Sequence, residues 1–486
     1  MHYPSMKNIS NNQNRYIWTI MCIIAIVCYH GSMASAQTLT PEQCRQLAID
    51  NNRQIQQALL VKEQMGYDTK AYKSHFYPRI DAFAADIYST GKGEFTMQGG
   101  NLPIFELNTS LGQYVPKAIA GADGQPIYSE YAYFPDQTFE LKIKNIFTAG
   151  LTLTQPIYMG GKISTAYSMS QIGEQMAALN HSLTVDEVIV QTDEAYALVV
   201  KAKEMIDVAQ KYKALLDELN KNVESAVRHG MKTRNDQMKV QVKINEADLN
   251  IVKAENGFRL AKMNLCHIIG LPITQNIDVD CNEINDSPTL TAITSDAYGI
   301  ETRYEHELLN KKVELADKEV KLTKSDFMPN VVLMGGVDYT NGVELAGQKL
   351  ADGIQGMVGI GVKIPLVNFG ESSNKIRSAK AKANIARIEQ DDLNEKMYLE
   401  LQQAINNTNE AQKEMVLTKS ALAQADENVR LTRQQYEVGY EPLSELLEAQ
   451  ALWQKAYAEH VEAKCQYRIS HLKLQKASGQ IEVPAN

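Results

Sequence analysis

Apolar and small residues recur at steps of three and four along much of the chain. Between Lys162 and His229 there is neither a proline nor a cluster of turn-forming residues. Ala195, Leu198, Val199, Ala202, Met205, Ile206 and Ala209 mark a narrow seam there, flanked by Lys201, Lys203, Glu204 and Asp207. The pattern predicts one helix of about 68 residues, ~100 Å long at 1.5 Å per residue, packed as in a coiled coil. A second such stretch runs over 371–438. Shorter helices are expected over 41–75, 235–268, 296–327 and 443–477. Pairs of short helices match a long one in length, which predicts end-to-end stacking beside it in a rod ~100 Å tall.

Elsewhere the period drops to two. In Phe147-Thr148-Ala149-Gly150-Leu151-Thr152-Leu153-Thr154 the odd positions are apolar and the even ones are Thr or Gly. In 357–364 the even positions are aliphatic, and Val331, Leu333, Val337 and Tyr339 share one face of a third strand. The first strand, 79–88, alternates least cleanly. One greasy face per strand fits a membrane barrel.

The second half of the chain repeats the first. A shift of 209 maps Pro156 on Pro365, Gly230 on Gly439, Gln241 on Gln450, Leu265 on Leu474 and Gly270 on Gly479. A shift of 251 maps Glu63 on Glu314, Ser74 on Ser325, Phe76 on Phe327 and Pro78 on Pro329. Residues 37–294 form a first structural repeat: helix, two strands, long helix, short helix. Residues 295–486 form a second with the same order. The two shifts differ because the first repeat carries extra residues between its strands, in a segment rich in Gly, Pro, Tyr and Phe that is expected to be a long outer loop, 89–146.

Residues 1–36 read as a secretory signal peptide. Lys7 and Arg15 precede an apolar run, and Ala34-Ser35-Ala36 is a small-residue cleavage site. Removing them takes the net charge from −9 to −11. With no basic tract, nucleic acid is excluded as a partner. Cys44, Cys266, Cys281 and Cys465 show no paired spacing, so they read as small buried side chains. No mature segment is apolar enough for a spanning helix, so membrane residence requires β-strands. Four strands cannot close a barrel and open edges are not tolerated in lipid, so several chains must share one; three give twelve strands.

With these features the chain resembles the TolC-like outer-membrane efflux proteins. The resemblance rests on the strand-to-helix junctions 156–161 and 365–370 and on the tips Val227-Arg228-His229-Gly230-Met231 and Tyr436-Glu437-Val438-Gly439-Tyr440. The closing Gly270 and Gly479 add to it. It implies an α+β membrane protein in which a long antiparallel α-helical coiled-coil tunnel continues a shared 12-stranded transmembrane β-barrel. It implies a homotrimer in outer-membrane lipid, reaching into the periplasm. There it would dock a periplasmic adaptor (membrane fusion) protein and an inner-membrane RND or ABC-type pump. The chain would be the passive exit duct for small molecules or polypeptides.

By the same resemblance, Glu445 and Glu448 ring the periplasmic entrance, and an Asp236–Tyr436 hydrogen bond helps to hold it shut. The tip residues His229, Gly230, Met231, Val438, Gly439 and Tyr440 contact the adaptor. Where some members carry Arg two positions after the second tip glycine, this chain has Glu441. From the residues themselves, Gly230 and Gly439 supply the left-handed turn that reverses a helix. Glu445 and Glu448, three apart, share one helical face.

Catalytic motifs are lacking. Met159-Gly160-Gly161-Lys162 lacks the upstream glycine of a phosphate loop, and the histidines form no HxxxH or HExxH pattern, so neither a cofactor nor a metal is expected. The competing reading is a periplasmic coiled-coil adaptor without a channel, which would not need amphipathic strand pairs.

Overall fold

A computed structural model describes residues 37–88, 92–280, 298–345 and 348–481. The expected signal peptide and Cys281 lie outside the described residues. In chain order the elements are β1 (Gln37–Leu39), α1 (Pro41–Asn51), α2 (Arg53–Ser74), β2 (Arg79–Tyr88) and β3 (Lys92–Met97). Then come β4 (Gly100–Pro103), β5 (Phe105–Asn108), β6 (Gln113–Pro116), β7 (Ala118–Ala120), β8 (Pro126–Tyr128), β9 (Tyr131–Phe134) and β10 (Gln137–Met159). They are followed by α3 (Lys162–Arg228), α4 (Arg234–Ile268), β11 (Ile277–Val279), α5 (Tyr304–Ser325), β12 (Asn330–Leu345), β13 (Gln348–Lys363), α6 (Glu371–Glu437) and α7 (Leu443–Ala477).

The duplication is visible element by element. Helices α3 and α6 each have 67 residues, and α4 and α7 each have 35. Both pairs begin and end at positions 209 apart. Helices α2 and α5 each have 22 residues and lie 251 apart.

The chain divides into two compact units. One comprises the chain through Tyr67, Gln171–Asp317 and the part from Ala381; the other comprises Asp68–Ser170 and Lys318–Lys380.

The second unit is built on an antiparallel sheet in the order β13-β12-β10-β2, with β3 continuing beside β10. The register aligns the alternation of all four strands. Ile80, Leu153, Gly335 and Val358 fall in one row, then Ala82, Leu151, Val337 and Gly356, then Ala84, Ala149, Tyr339 and Ile354. The opposite face is more polar but not free of apolar residues: it carries Asp81, Thr152, Gly336 and Met357, then Phe83, Gly150, Asp338 and Gln355, then Ala85, Thr148, Thr340 and Gly353. The irregular alternation of 79–88 persists in the sheet: β2 places Ile80, Ala82 and Ala84 on the apolar face together with Asp86, and Phe83 and Ile87 on the other. The greasy side chains stand bare, with Val358 84% and Ile354 78% exposed.

The outer segment is not a plain loop. Strand β10 starts at Gln137, ten residues before Phe147, and pairs with β3. Beyond that ribbon the chain folds as three small two-stranded sheets, β4–β9, β5–β6 and β7–β8. Gly, Pro and scattered apolar residues hid these strands, because each is only three or four residues long.

The first unit contains the helical cores. Leu39, Cys44, Ala48, Val188, Tyr196, Val199, Val200, Leu265 and Ile269 form one of them, with Ile277 and Val279. It includes a short parallel pairing of β1 with β11 that hydropathy does not announce. The Tyr196 hydroxyl bonds the carbonyl oxygens of Leu39 (3.1 Å) and Asp280 (2.8 Å), which ties that pairing to α3. The seam is shifted from the expected one. Ala195, Val199 and Ala209 are buried, but Leu198 is 44% exposed while Tyr196, Val200 and Val208 are buried. Helix α3 therefore turns a broader face inward than a coiled-coil seam. Cys44, Cys266 and Cys465 are buried free thiols, and burial pushes Cys44 and Cys465 up to about 12.

Short helices meet end to end, by a device repeated in both halves. The expected 41–75 helix breaks at Asn52. Its Oδ1 accepts from the Gln54 amide (2.8 Å), capping α2, while its Nδ2 donates to the Ile268 carbonyl at the end of α4 (2.8 Å). Arg303 occupies the equivalent place before α5. Its Nη1 reaches the Ala477 carbonyl at the end of α7 (3.4 Å) and Glu400 (2.8 Å), and Nη2 reaches Glu305 (3.1 Å). Helix α5 accordingly begins at Tyr304 rather than near 296.

Candidate functional site

The ends of α3 and α6 reverse into α4 and α7 through two tips built alike. At the first, Gly230 N–H donates to the Val227 carbonyl (3.0 Å) and Met231 N–H to the Ala226 carbonyl (2.9 Å). At the second, Gly439 donates to Tyr436 (3.1 Å) and Tyr440 to Gln435 (2.9 Å). These paired bonds use up carbonyls that a helix end leaves open, and they need a left-handed residue. Gly230 and Gly439 supply it at φ 73° and 83°.

The restart of each helix differs. Thr233 and Asp236 form a reciprocal capping box at α4, whereas Pro442 precedes α7 with no side-chain bond. One core holds both hairpins: Tyr212, Leu216, Leu219 and Val223 of α3, Val240 and Ile244 of α4, Val429 of α6, and Leu443, Leu446 and Trp453 of α7. Arg433 of α6 pairs with Glu218 of α3, and the Trp453 indole N–H donates to Asp426.

That core fixes the acidic face. Leu443, Leu446 and Ala449 point inward, so Glu445 and Glu448 are both exposed, with no ion-pair partner among the described residues. The residues at the crest are equally bare: Met231 is 72% exposed, Val438 70% and Tyr440 86%, and His229 is exposed with its ring nitrogen on the Ser225 carbonyl (2.8 Å).

The expected Asp236–Tyr436 hydrogen bond is not made in the chain. The Asp236 carboxylate is committed to the capping box, where it accepts from the Thr233 amide (3.1 Å) and hydroxyl (2.8 Å). Those bonds hold its pKa below the usual carboxylate value. Tyr436 is instead covered by Lys232, whose Nζ lies 4.8 Å from the ring centroid. Burial, and then the Asp236 charge, raise the Tyr436 pKa. A cation–π pair thus joins the hairpins beside their shared core, through Lys232, a residue that the sequence pattern did not single out. A lysine two positions past the tip glycine is the only signal it gives.

No helix among the described residues is long and apolar enough to cross a membrane, and no group of them could hold a metal ion. What faces a membrane in this fold is the apolar row of the sheet.

Residues 309–480 match the family of outer membrane efflux proteins. The outer membrane efflux protein BepC of Brucella suis is 22% identical over 309 residues, a match covering 62% of this chain and 65% of that protein. The Campylobacter jejuni CmeC outer membrane channel superposes with a TM-score of 0.68 at 16% identity, covering 92% of this chain and 87% of that one. The open-state MtrE outer membrane channel of Neisseria gonorrhoeae superposes with a TM-score of 0.68 at 15% identity, covering 90% and 88%. Repeat, fold and family match agree: residues 309–480 carry the outer membrane efflux protein match, and the fold of the chain is that of the outer membrane channels it superposes on.

Proposed function

We propose that three copies of the chain close one twelve-stranded barrel and that the assembly is the passive outer-membrane duct of a tripartite efflux or type I secretion system. The observation that carries this is the sheet. It has four membrane-facing strands, a continuous apolar row, and free edges at β13 and β2. In lipid an unpaired edge leaves backbone groups without partners at several kcal/mol each, so β13 of one copy must meet β2 of the next.

In this reading Glu445 and Glu448 line the periplasmic entrance, six carboxylates in a trimer that favour cations over anions. His229, Gly230, Met231, Val438, Gly439 and Tyr440 dock a periplasmic adaptor that links the duct to an inner-membrane pump, which supplies the energy. The bare crest residues support docking, since large apolar side chains are costly to leave in water. The decisive measurement is single-channel conductance of the purified chain in a planar bilayer, alongside its mass in detergent. A trimer with a small cation-selective conductance that loses selectivity in Glu445→Gln/Glu448→Gln is expected. Folded protein that remains monomeric and forms no channel would favour the periplasmic interaction protein instead.

A further inference from the structure

The two tips are near-copies in backbone but opposites in charge. At the shift of 209 that relates them, Arg228 faces Glu437, Lys232 faces Glu441 and Lys239 faces Glu448; only Asp236 and Glu445 keep their sign. Around the first tip Asp236 is the one acidic residue between Glu224 and Glu246, beside Arg228, His229, Lys232, Arg234 and Lys239. Around the second there is no basic residue between Arg433 and Lys455.

Apart from Asp236 in its capping box and Lys232 over Tyr436, these charges are not used internally. Arg228, Arg234, Lys239, Glu437, Glu445 and Glu448 are exposed, and none of them is in an ion pair among the described residues. Some also oppose the helices that carry them. Glu437 ends α6, which has no basic residue in its last turn, and Arg234 begins α4. A helix prefers the reverse, an acid at its start and a base at its end. The helix dipole favours Arg228 at the end of α3 and Glu445 at the start of α7, but it does not explain Glu437 or Arg234.

We infer that the tips form a two-signed docking surface for a partner protein that presents acidic side chains to the first tip and basic side chains to the second. This rests on the proposed adaptor docking and specifies the chemistry of the partner. Unlike charges at a rim steer encounter and fix register, and like charges brought together reject the wrong partner. Because the backbone turns are alike at both tips, the sign of the surrounding charge is what most clearly distinguishes one docking position from the other. A partner binding along the ring of tips is thereby set in a single register.

The test uses charge reversal in cells whose efflux depends on this chain. Arg228→Glu/Lys239→Glu reverses the first tip, and Glu437→Lys/Glu441→Lys reverses the second. Each is expected to lower dye efflux at least tenfold while the purified protein keeps its trimer mass and bilayer conductance. The two reversals combined should remain defective, because the partner has not been changed. Recovery in the combined variant would overturn the inference, since it would mean that the tips pair with each other between copies. Undiminished efflux in either single reversal would also overturn it. If a reversed chain fails to assemble, the neutral Arg228→Gln/Lys239→Gln takes its place, with a partial loss expected and full efflux counting against the inference. A wild-type chain without trimer or conductance would instead sink the underlying duct, and this inference with it.

Discussion

Helices α3, α4, α6 and α7 all end in the same turn, yet the two tips and the two closing junctions use glycine for different reasons. Gly270 and Gly479 have φ values of 75° and 67°, and they close with the same bond pair as the tips: Leu271 N–H to the Cys266 carbonyl (2.8 Å) and Gln480 to Gln475 (2.8 Å). At the tips a Cβ on Gly230 or Gly439 would meet nothing within 4 Å. At the junctions a Cβ on Gly270 would lie 2.5 Å from the Asn51 Cβ, and one on Gly479 would lie 2.9 Å from the Thr302 hydroxyl. The junction glycines satisfy both a dihedral and a close approach of backbones. The tip glycines satisfy a dihedral alone, which leaves the crest free to be a contact surface.

The largest losses are expected at the junctions. Gly270→Ala should cost about 3 kcal/mol or more, since strain at positive φ adds to a clash with Asn51, and Gly479→Ala somewhat less; Gly230→Ala and Gly439→Ala should cost only ~1 kcal/mol. Thermal unfolding of the purified protein ranks them, and equal losses at all four would remove the distinction. Next in size is the pair Arg303→Met and Asn52→Ala. Each strips the bond that joins two helix ends, and each should cost about 2 kcal/mol. If one is silent, the halves are not joined by equivalent devices.

Beside the Arg303 junction, Asp186 lines a cavity of about 290 Å³ with Glu305 and Lys476. Burial, and then the Glu305 charge, push it from 3.8 up to about 6 against the pull of Lys476. An acid whose pKa is raised by folding binds more protons folded than unfolded between those two values. Its contribution to stability therefore falls as pH rises through that window. Asp186→Asn should stabilise the protein at pH 7–8 by ~1 kcal/mol, the full shift being discounted for partial exposure, and the gain should vanish near pH 4. Melting curves at the two pH values check the sign.

The smallest expected effect is at the tips. Lys232→Gln removes a cation–π contact of ~0.5–1 kcal/mol and should raise leak conductance, whereas Tyr436→Phe keeps the ring and should not. A leak in Tyr436→Phe alone would return the role to the hydroxyl.

Much of this was legible because it depends on spacing. The ends of α4 and α7 fall where Gly270 and Gly479 announce them, and the strands at 330–345 and 348–363 follow a period of two. The junction at Asn52 was not legible, since a single asparagine inside a helical pattern does not reveal that its amide reaches a carbonyl 216 residues away. The three small sheets beyond the outer ribbon were missed because their strands are too short to show a period.

Residue type and spacing along the chain are enough to set the duplication, the alternation of long and short helices, the amphipathic strands and the left-handed tips, because each is a local consequence of them. Which groups meet was left to tertiary packing. It brought the alternation of four strands into one apolar face and gave the Asp236 carboxylate to Thr233. It also laid Lys232 on Tyr436, a pairing between side chains about two hundred residues apart. Such contacts are set by how helices pack on one another, and no local pattern encodes them.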